Sequence, residues 1–358
     1  MSLAVSGARA DEDVGYGLLF RTAMDEFQDR CVQVKEPFPA WAEGDFIIPS
    51  VGRFEMGDRH FVGFGDAFGK LHRFEMKSDK VCATYRIMRT GFYNESLEAG
   101  TIGRGFLFYE TQPPRSCPLG QEVCRVQNAM APNDNNFVNT VRVGDHLVSL
   151  TDSPFGIEVD PKSLEVMGSY KWQDKLTGYQ IPYSGSAHPV QHPATGEVID
   201  FVGTSNPVTG AATIKVFSLA DKRPKTRNSL VDVDDGAPPY MHSFGITDKY
   251  IVLPHMPVKF DYTAVFTQAS MAKAFQEIQF TEPNENNAFH VIPLSGGKPF
   301  VRMLPVTDRL YYTHTLNTYE NSSGIVIDLS TAPVNPFSRN LTIAALTDKA
   351  MRDADSAA

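Results

Sequence analysis

Short apolar runs alternate along this chain with turn-forming residues at nearly regular intervals. Runs at 46–49, 60–64, 71–76, 81–87 and 102–109 open the series. Gly57-Asp58, Gly65-Asp66 and Ser78-Asp79 lie between them. After a loop at 111–135 the rhythm resumes. Runs at 137–143 and 146–150 flank Gly144-Asp145, a hairpin signal because glycine and aspartate tolerate the backbone twist of a tight turn. Further runs lie at 157–159, 167–170, 188–191, 198–202, 212–219, 241–246 and 251–253, then at 288–292, 301–305, 311–316 and 325–329. Many short strands with little helix predict an all-β fold: a sandwich, a barrel or a propeller. No tight repeat is visible in the sequence, so the pattern alone does not choose among them.

Three stretches depart from the rhythm. Residues 1–40 read as an N-terminal arm with a short helix at 16–24, ended by the proline-containing run Lys35-Glu-Pro-Phe-Pro-Ala40. Residues 262–280 carry apolar side chains without Gly or Pro and read as a helix or apolar loop inserted between strands. Residues 336–358 read as a helical or disordered tail, leaving 41–335 as the β domain.

Composition narrows the function. With 42% hydrophobic and 21% charged residues, the chain can bury a core. A net charge of −9 without a Lys/Arg cluster argues against a nucleic-acid partner. The N-terminal stretch has no basic segment before its apolar residues, and no run is long enough to span a membrane, so the cytoplasm is the expected compartment. A plastid address and peripheral membrane contact through the apolar 262–280 stretch stay open. In that reducing setting Cys31, Cys82, Cys117 and Cys124 read as buried or turn cysteines, not disulfides.

Nine histidines are present. His60, His72, His146, His192, His255 and His290 share no context and read as structural. His188 in Ser186-Ala-His-Pro189, His242 in Tyr240-Met-His-Ser-Phe244 and His314 in Tyr311-Tyr-Thr-His-Thr315 lie in similar β-type settings. Each interval between them exceeds the length of one four-stranded blade. Innermost strands of successive blades would face a common axis, so these three are expected to converge on one metal.

Ordered motifs strengthen that reading. The chain resembles the carotenoid cleavage oxygenase family, most closely its animal branch of β-carotene oxygenases and the retinal pigment epithelium retinoid isomerase. The likeness runs through Arg53-Phe-Glu-Met-Gly-Asp58, Leu71-His-Arg-Phe74, Asn136-Phe-Val-Asn139, Leu150-Thr-Asp-Ser153 and Asp160-Pro-Lys-Ser-Leu-Glu165. It continues through the three histidine segments, ending with Thr313-His-Thr-Leu-Asn-Thr-Tyr-Glu320. The resemblance implies a seven-bladed β-propeller with a loop and helix cap. It implies one Fe(II) on the axis, held here by His188, His242 and His314, and O2-dependent cleavage of a conjugated C=C bond in a carotenoid or apocarotenoid. Neutral imidazoles suit ferrous iron and leave coordination positions open.

The resemblance also marks departures. Asp152 stands where the family has a glutamate behind a histidine ligand, one methylene shorter. The family's fourth histidine lies beyond Ala358, so the propeller is expected to be incomplete, with its closing blades missing. The alternatives are a catalytically inactive truncated relative that binds a polyene or iron, and a retinoid isomerase variant.

Overall fold

The computed structural model describes residues 16–115, 120–131, 133–219, 225–235, 240–255, 258, 288–303, 311–332, 335 and 341–348. Its strands form consecutive antiparallel sheets in chain order. The first sheet is ordered Phe27–Gln33, Lys80–Ile87, Phe68–Lys77, Gly44–Arg53. Asn139–Val143, His146–Leu150, Gly156–Val159 and Val166–Tyr170 form the second as a simple meander. The third joins Ile181–Gly185, Val198–Ser205, Ala212–Leu219 and Arg227–Asp235, with Val190–Gln191 added beside Val198–Ser205. The fourth runs Gly245–Ile246, Tyr250–His255, Ala288–Pro293, Phe300–Met303, and a hairpin, Tyr311–Asn321 with Gly324–Ala332, follows.

The apolar cores lie between neighbouring sheets. Leu71, Phe137, Leu147 and Ile157 join the first sheet to the second. Val148, Tyr170, Val202 and Phe217 join the second to the third. Phe201, Ile214, Val216, Ile251 and Ile292 join the third to the fourth. Burying each such side chain contributes roughly 1.5–3 kcal/mol, so this face-to-face packing dominates what holds the sheets side by side. It also explains a burial pattern: every residue of Ala212–Leu219 is buried, because the sheet is covered on both faces. The last hairpin instead alternates between half-buried and exposed positions along Tyr311–Asn321. Among the described residues, no helix is long and apolar enough to cross a membrane.

Several expectations change. Within the N-terminal 1–40 stretch, Phe27–Gln33 is a strand that pairs with Lys80–Ile87 at the edge of the first sheet. Among the described residues, the N-terminal helix covers Tyr16–Leu19. Residues 102–109 form no strand, because side chains take over the backbone partners. The buried Asp66 carboxylate accepts the Phe108 and Tyr109 N–H groups at 2.6 and 2.9 Å, and Arg115 donates to the Gly105 carbonyl at 2.7 Å. Burial raises the Asp66 carboxyl to about 7 despite those two donors.

Helices Gly91–Ala99 and Gln121–Met130 were not expected. The first has legible ends: the Thr90 hydroxyl accepts the Tyr93 N–H, and Gly100 closes it in the left-handed conformation. Cys31 and Cys82 sit directly opposite each other in the sheet register and form a disulfide, overturning their reading as reduced cysteines. Of the C-terminal tail, Ile343–Thr347 is helical and Ile343 packs against the first core. The apolar stretch 262–280 lies outside the described residues.

Candidate metal centre

Each of the three histidine segments belongs to a different sheet or hairpin. His188 follows strand Ile181–Gly185 of the third sheet, and His242 precedes Gly245–Ile246 of the fourth. His314 lies within Tyr311–Asn321 of the hairpin. Two glycines allow the segments to approach. A Cβ on Gly185 would stand 2.7 Å from the Ser153 carbonyl oxygen, and one on Gly245 would stand 2.0 Å from Thr318 Oγ1. Neither position has room for a side chain, so both close approaches depend on glycine.

One ring nitrogen from each of His188, His242 and His314 lies within 4.8 Å of the other two. His188 Nε2 and His242 Nε2 are 3.0 Å apart. Ring centroids are 4.6 Å apart for His188–His242, 4.9 Å for His188–His314 and 4.8 Å for His242–His314. Imidazole nitrogens sit about 2.1 Å from a bound transition metal, so two at right angles around one ion lie about 3.0 Å apart. The His188–His242 spacing therefore fits a shared ion.

Asp152 orients the group from behind. Its Oδ2 accepts from His242 Nδ1 at 2.8 Å and from the Tyr240 hydroxyl at 2.7 Å. With its Nδ1 proton committed to Asp152, neutral His242 presents the lone pair of Nε2 to the other two rings. The shorter side chain reaches because the backbone brings it in: the Gly185 N–H donates to the Asp152 carbonyl at 3.0 Å. The other carboxylate oxygen, Oδ1, is buried without a hydrogen-bond partner among the described residues.

Burial, opposed by the Asp152 charge and hydrogen bond, leaves His242 above its ordinary pKa. Burial, with help from the His242 and His314 charges, pushes His188 down to about 4, and burial and His242 also lower His314. Burial disfavours the Asp152 carboxylate, but the facing His242 outweighs it and holds this carboxyl below its usual range. Asp200, also buried, is driven well above the usual range by burial and by the Asp152 charge. An anionic carboxylate with one unpaired oxygen beneath converging imidazoles is a donor set matched to a divalent cation.

No fourth histidine joins the group among the described residues. His72 Nδ1 lies 3.3 Å from the Ser50 hydroxyl, and His192 Nδ1 accepts the Ala194 N–H within a turn. His290 is buried beside His255, with ring centroids 5.9 Å apart, and stays outside the triad. The sequence reading missed Tyr240, although its place two residues before His242 put it in reach. It also missed Ser186 and Ser243, which tie the histidine segments together. The Ser186 hydroxyl donates to the His242 carbonyl at 2.8 Å, and the Ser243 hydroxyl donates to the Thr313 carbonyl at 3.0 Å.

Comparison with known proteins adds an independent line. The family described as Retinal pigment epithelial membrane protein matches residues 20–358. The mitochondrial carotenoid-cleaving dioxygenase of Macaca fascicularis is 26% identical over 311 residues, 82% of this chain and 53% of its own length. Carotenoid cleavage dioxygenase 8, chloroplastic, of Arabidopsis thaliana is 23% identical over 63% of this chain and 40% of its own length. A variant of Synechocystis apocarotenoid oxygenase superposes with a TM-score of 0.69 at 20% identity, covering 89% of this chain and 64% of that one. The cobalt-substituted form of that oxygenase gives a TM-score of 0.66 over the same shares. The chain thus spans about half the length of the first of these relatives, and it shares the β-propeller fold of the solved structures.

Proposed function

The chain belongs to the retinal pigment epithelial membrane protein family, and from that premise we propose that it is an Fe(II)-dependent dioxygenase acting on a carotenoid or apocarotenoid. The observation that carries the proposal is the convergence of His188, His242 and His314 over the buried carboxylate of Asp152. In this reading the three imidazoles are the metal ligands and Asp152 is the group that orients one of them. A ferrous ion there would supply the chemistry these side chains lack, reductive activation of O2.

The protein's own contributions follow from its residues. His188, with a pKa near 4, keeps its lone pair at neutral pH. Asp152 accepts the His242 Nδ1 proton and offsets part of the metal's charge. Tyr240, Tyr312 and Val258 form a buried apolar cluster, with Phe108, Tyr311 and Leu329 packed against it. Because Tyr240 also touches Asp152, that cluster borders the histidines and gives them an apolar flank. Cleavage would break one C=C bond and the O–O bond, each carbon taking one oxygen as a carbonyl. The four larger sheets and the hairpin that follows them would be successive blades of the seven-bladed ring that the family resemblance implies, with residues 41–335 the main part of that domain.

The test is iron content and turnover measured together. The chain is loaded anaerobically with Fe(II), then given O2 with β-carotene or an apocarotenal in detergent, with His314→Ala as control. Near-stoichiometric iron and aldehyde products, both lost in the control, are expected. Iron without products would reduce the protein to a binding relative. Folded protein that takes up no iron would overturn the metal assignment.

A further inference from the structure

Two serine hydroxyls connect the three histidine segments in series. The Ser186 hydroxyl accepts the His188 N–H at 2.9 Å and donates to the His242 carbonyl at 2.8 Å. The Ser243 hydroxyl accepts the Thr315 N–H at 2.6 Å and donates to the Thr313 carbonyl at 3.0 Å. Thr313 and Thr315 flank His314, so Ser243 grips the backbone on both sides of that ring. Ser186 likewise holds the backbone of His188 and of His242 at once. Both serines are 3% exposed, and each makes a bond that crosses from one sheet to the next. A backbone bridge between His188 and Ser243 runs beside them.

We infer that Ser186 and Ser243 are positioning residues of the metal centre, holding the three imidazoles at ligand spacing before any ion arrives. The inference rests on the metal reading proposed above. Its physical basis is that the His188 and His242 segments have few ladder bonds of their own, and that the ladder of Tyr311–Asn321 shifts register across Tyr312 to Thr315, where His314 lies. The fourth sheet begins with a strand of two residues, Gly245–Ile246, and His188 lies between strands. Without the hydroxyls, the His188 N–H, the His242 carbonyl and the backbone on both sides of His314 lose partners and the segments can slide.

Serine bridges of this kind could also act only on overall stability, and the molecule supplies a comparison that separates the two roles. Asn135 makes the same type of inter-sheet clamp away from the histidines. Its Oδ1 accepts the Gly69 N–H at 2.9 Å and its Nδ2 donates to the Ala67 carbonyl at 2.7 Å. A stability role predicts that removing Asn135 and removing either serine have the same consequences. A positioning role predicts that only the serines affect the metal.

The experiment is a Co(II) titration of the intact chain, read from the cobalt d–d absorption and normalised to folded protein by circular dichroism. Ser186→Ala, Ser243→Ala and Asn135→Ala are compared with wild type. The serine variants are expected to bind cobalt about 10–100-fold more weakly, the size seen when an outer partner of a ligand is lost. Their band positions should shift, while Asn135→Ala keeps the wild-type affinity and spectrum even if its melting temperature falls. Ser243→Thr, which keeps the hydroxyl, is expected to recover most of the affinity. Tight wild-type binding matched by the alanine variants, or an equal loss in Asn135→Ala, overturns the serine assignment alone. If Ser243→Ala does not fold, Ser186→Ala decides by the same criteria. A wild-type chain that binds no cobalt overturns the metal reading and this inference with it.

Discussion

Among the described residues, His146 and His242 each rest Nδ1 on a carboxylate, and they sit in opposite kinds of place. His146 pairs with Glu158 on the middle strands of the second sheet, where Glu158 also faces Lys225 Nζ at 3.8 Å. The His146 ring packs edge-on against Tyr170, ring centroids 5.6 Å apart. His242 pairs with Asp152 just before the first strand of the fourth sheet, and its far nitrogen looks at His188 Nε2. The two pairs share their chemistry. They differ in what surrounds them: a lysine and a tyrosine ring in one, two more imidazoles in the other. A carboxylate behind a histidine is thus no sign of a metal ligand by itself. The sign is the convergence of further lone pairs on its other side.

The sharpest way to break the comparison is to remove each ring in turn. His242→Ala should lower Co(II) or Fe(II) affinity by more than the ~10–100-fold that loss of an outer partner costs, whereas His146→Ala should leave it unchanged. A titration in which both variants bind like wild type would mean that the triad is not the site. Next in size is the carboxylate. Asp152→Asn keeps the shape but removes the charge and allows the amide to present N–H toward His242, and a loss of about 10–100-fold in affinity is expected. Glu158→Gln is its counterpart and should not change metal uptake. Equal effects in the two would erase the distinction drawn between them.

The smallest effect is on the pH dependence of the metal-free chain. His188 titrates near 4 in the native state, against about 6.5 when unfolded. Between those values the unfolded chain holds a proton that the native chain does not, so stability should fall as pH is lowered through that window. His242 works the other way: its raised native pKa contributes stability at low pH that is lost as pH rises through that value. Urea melts across pH 4 to 7 should therefore show an acid limb that flattens in His188→Gln. An unchanged limb would mean that His188 is not held neutral by its surroundings.

Much of the site was legible in the chain. The three histidines stood out because each lies in a β-type segment and motif order matched one family. Asp152 was legible as a candidate, but its reach was not, since a missing methylene is compensated only by how Gly185 draws the backbone in. The serines could have been found by asking what satisfies the backbone beside His188 and His242, because Ser186 and Ser243 are within two residues of them. Strand 102–109 was misread for the complementary reason. Its apolar pattern is strand-like, but a distant carboxylate, Asp66, takes the N–H groups a ladder would use. The Cys31–Cys82 pairing needed the register of two strands far apart in sequence.

By itself the sequence determined the class of fold and the chemical type of the site. Alternating apolar runs with turn residues can satisfy their backbone only in sheets, and three imidazoles in such segments offer a set of neutral nitrogen donors. The tertiary structure alone decided which donors meet. That outcome depends on apolar packing between successive sheets, on two positions too close for any residue but glycine, and on hydroxyl bonds that cross from one sheet to the next. The two hydroxyl bonds join residues 56 and 70 positions apart, and local pattern carries no information about distances of that kind.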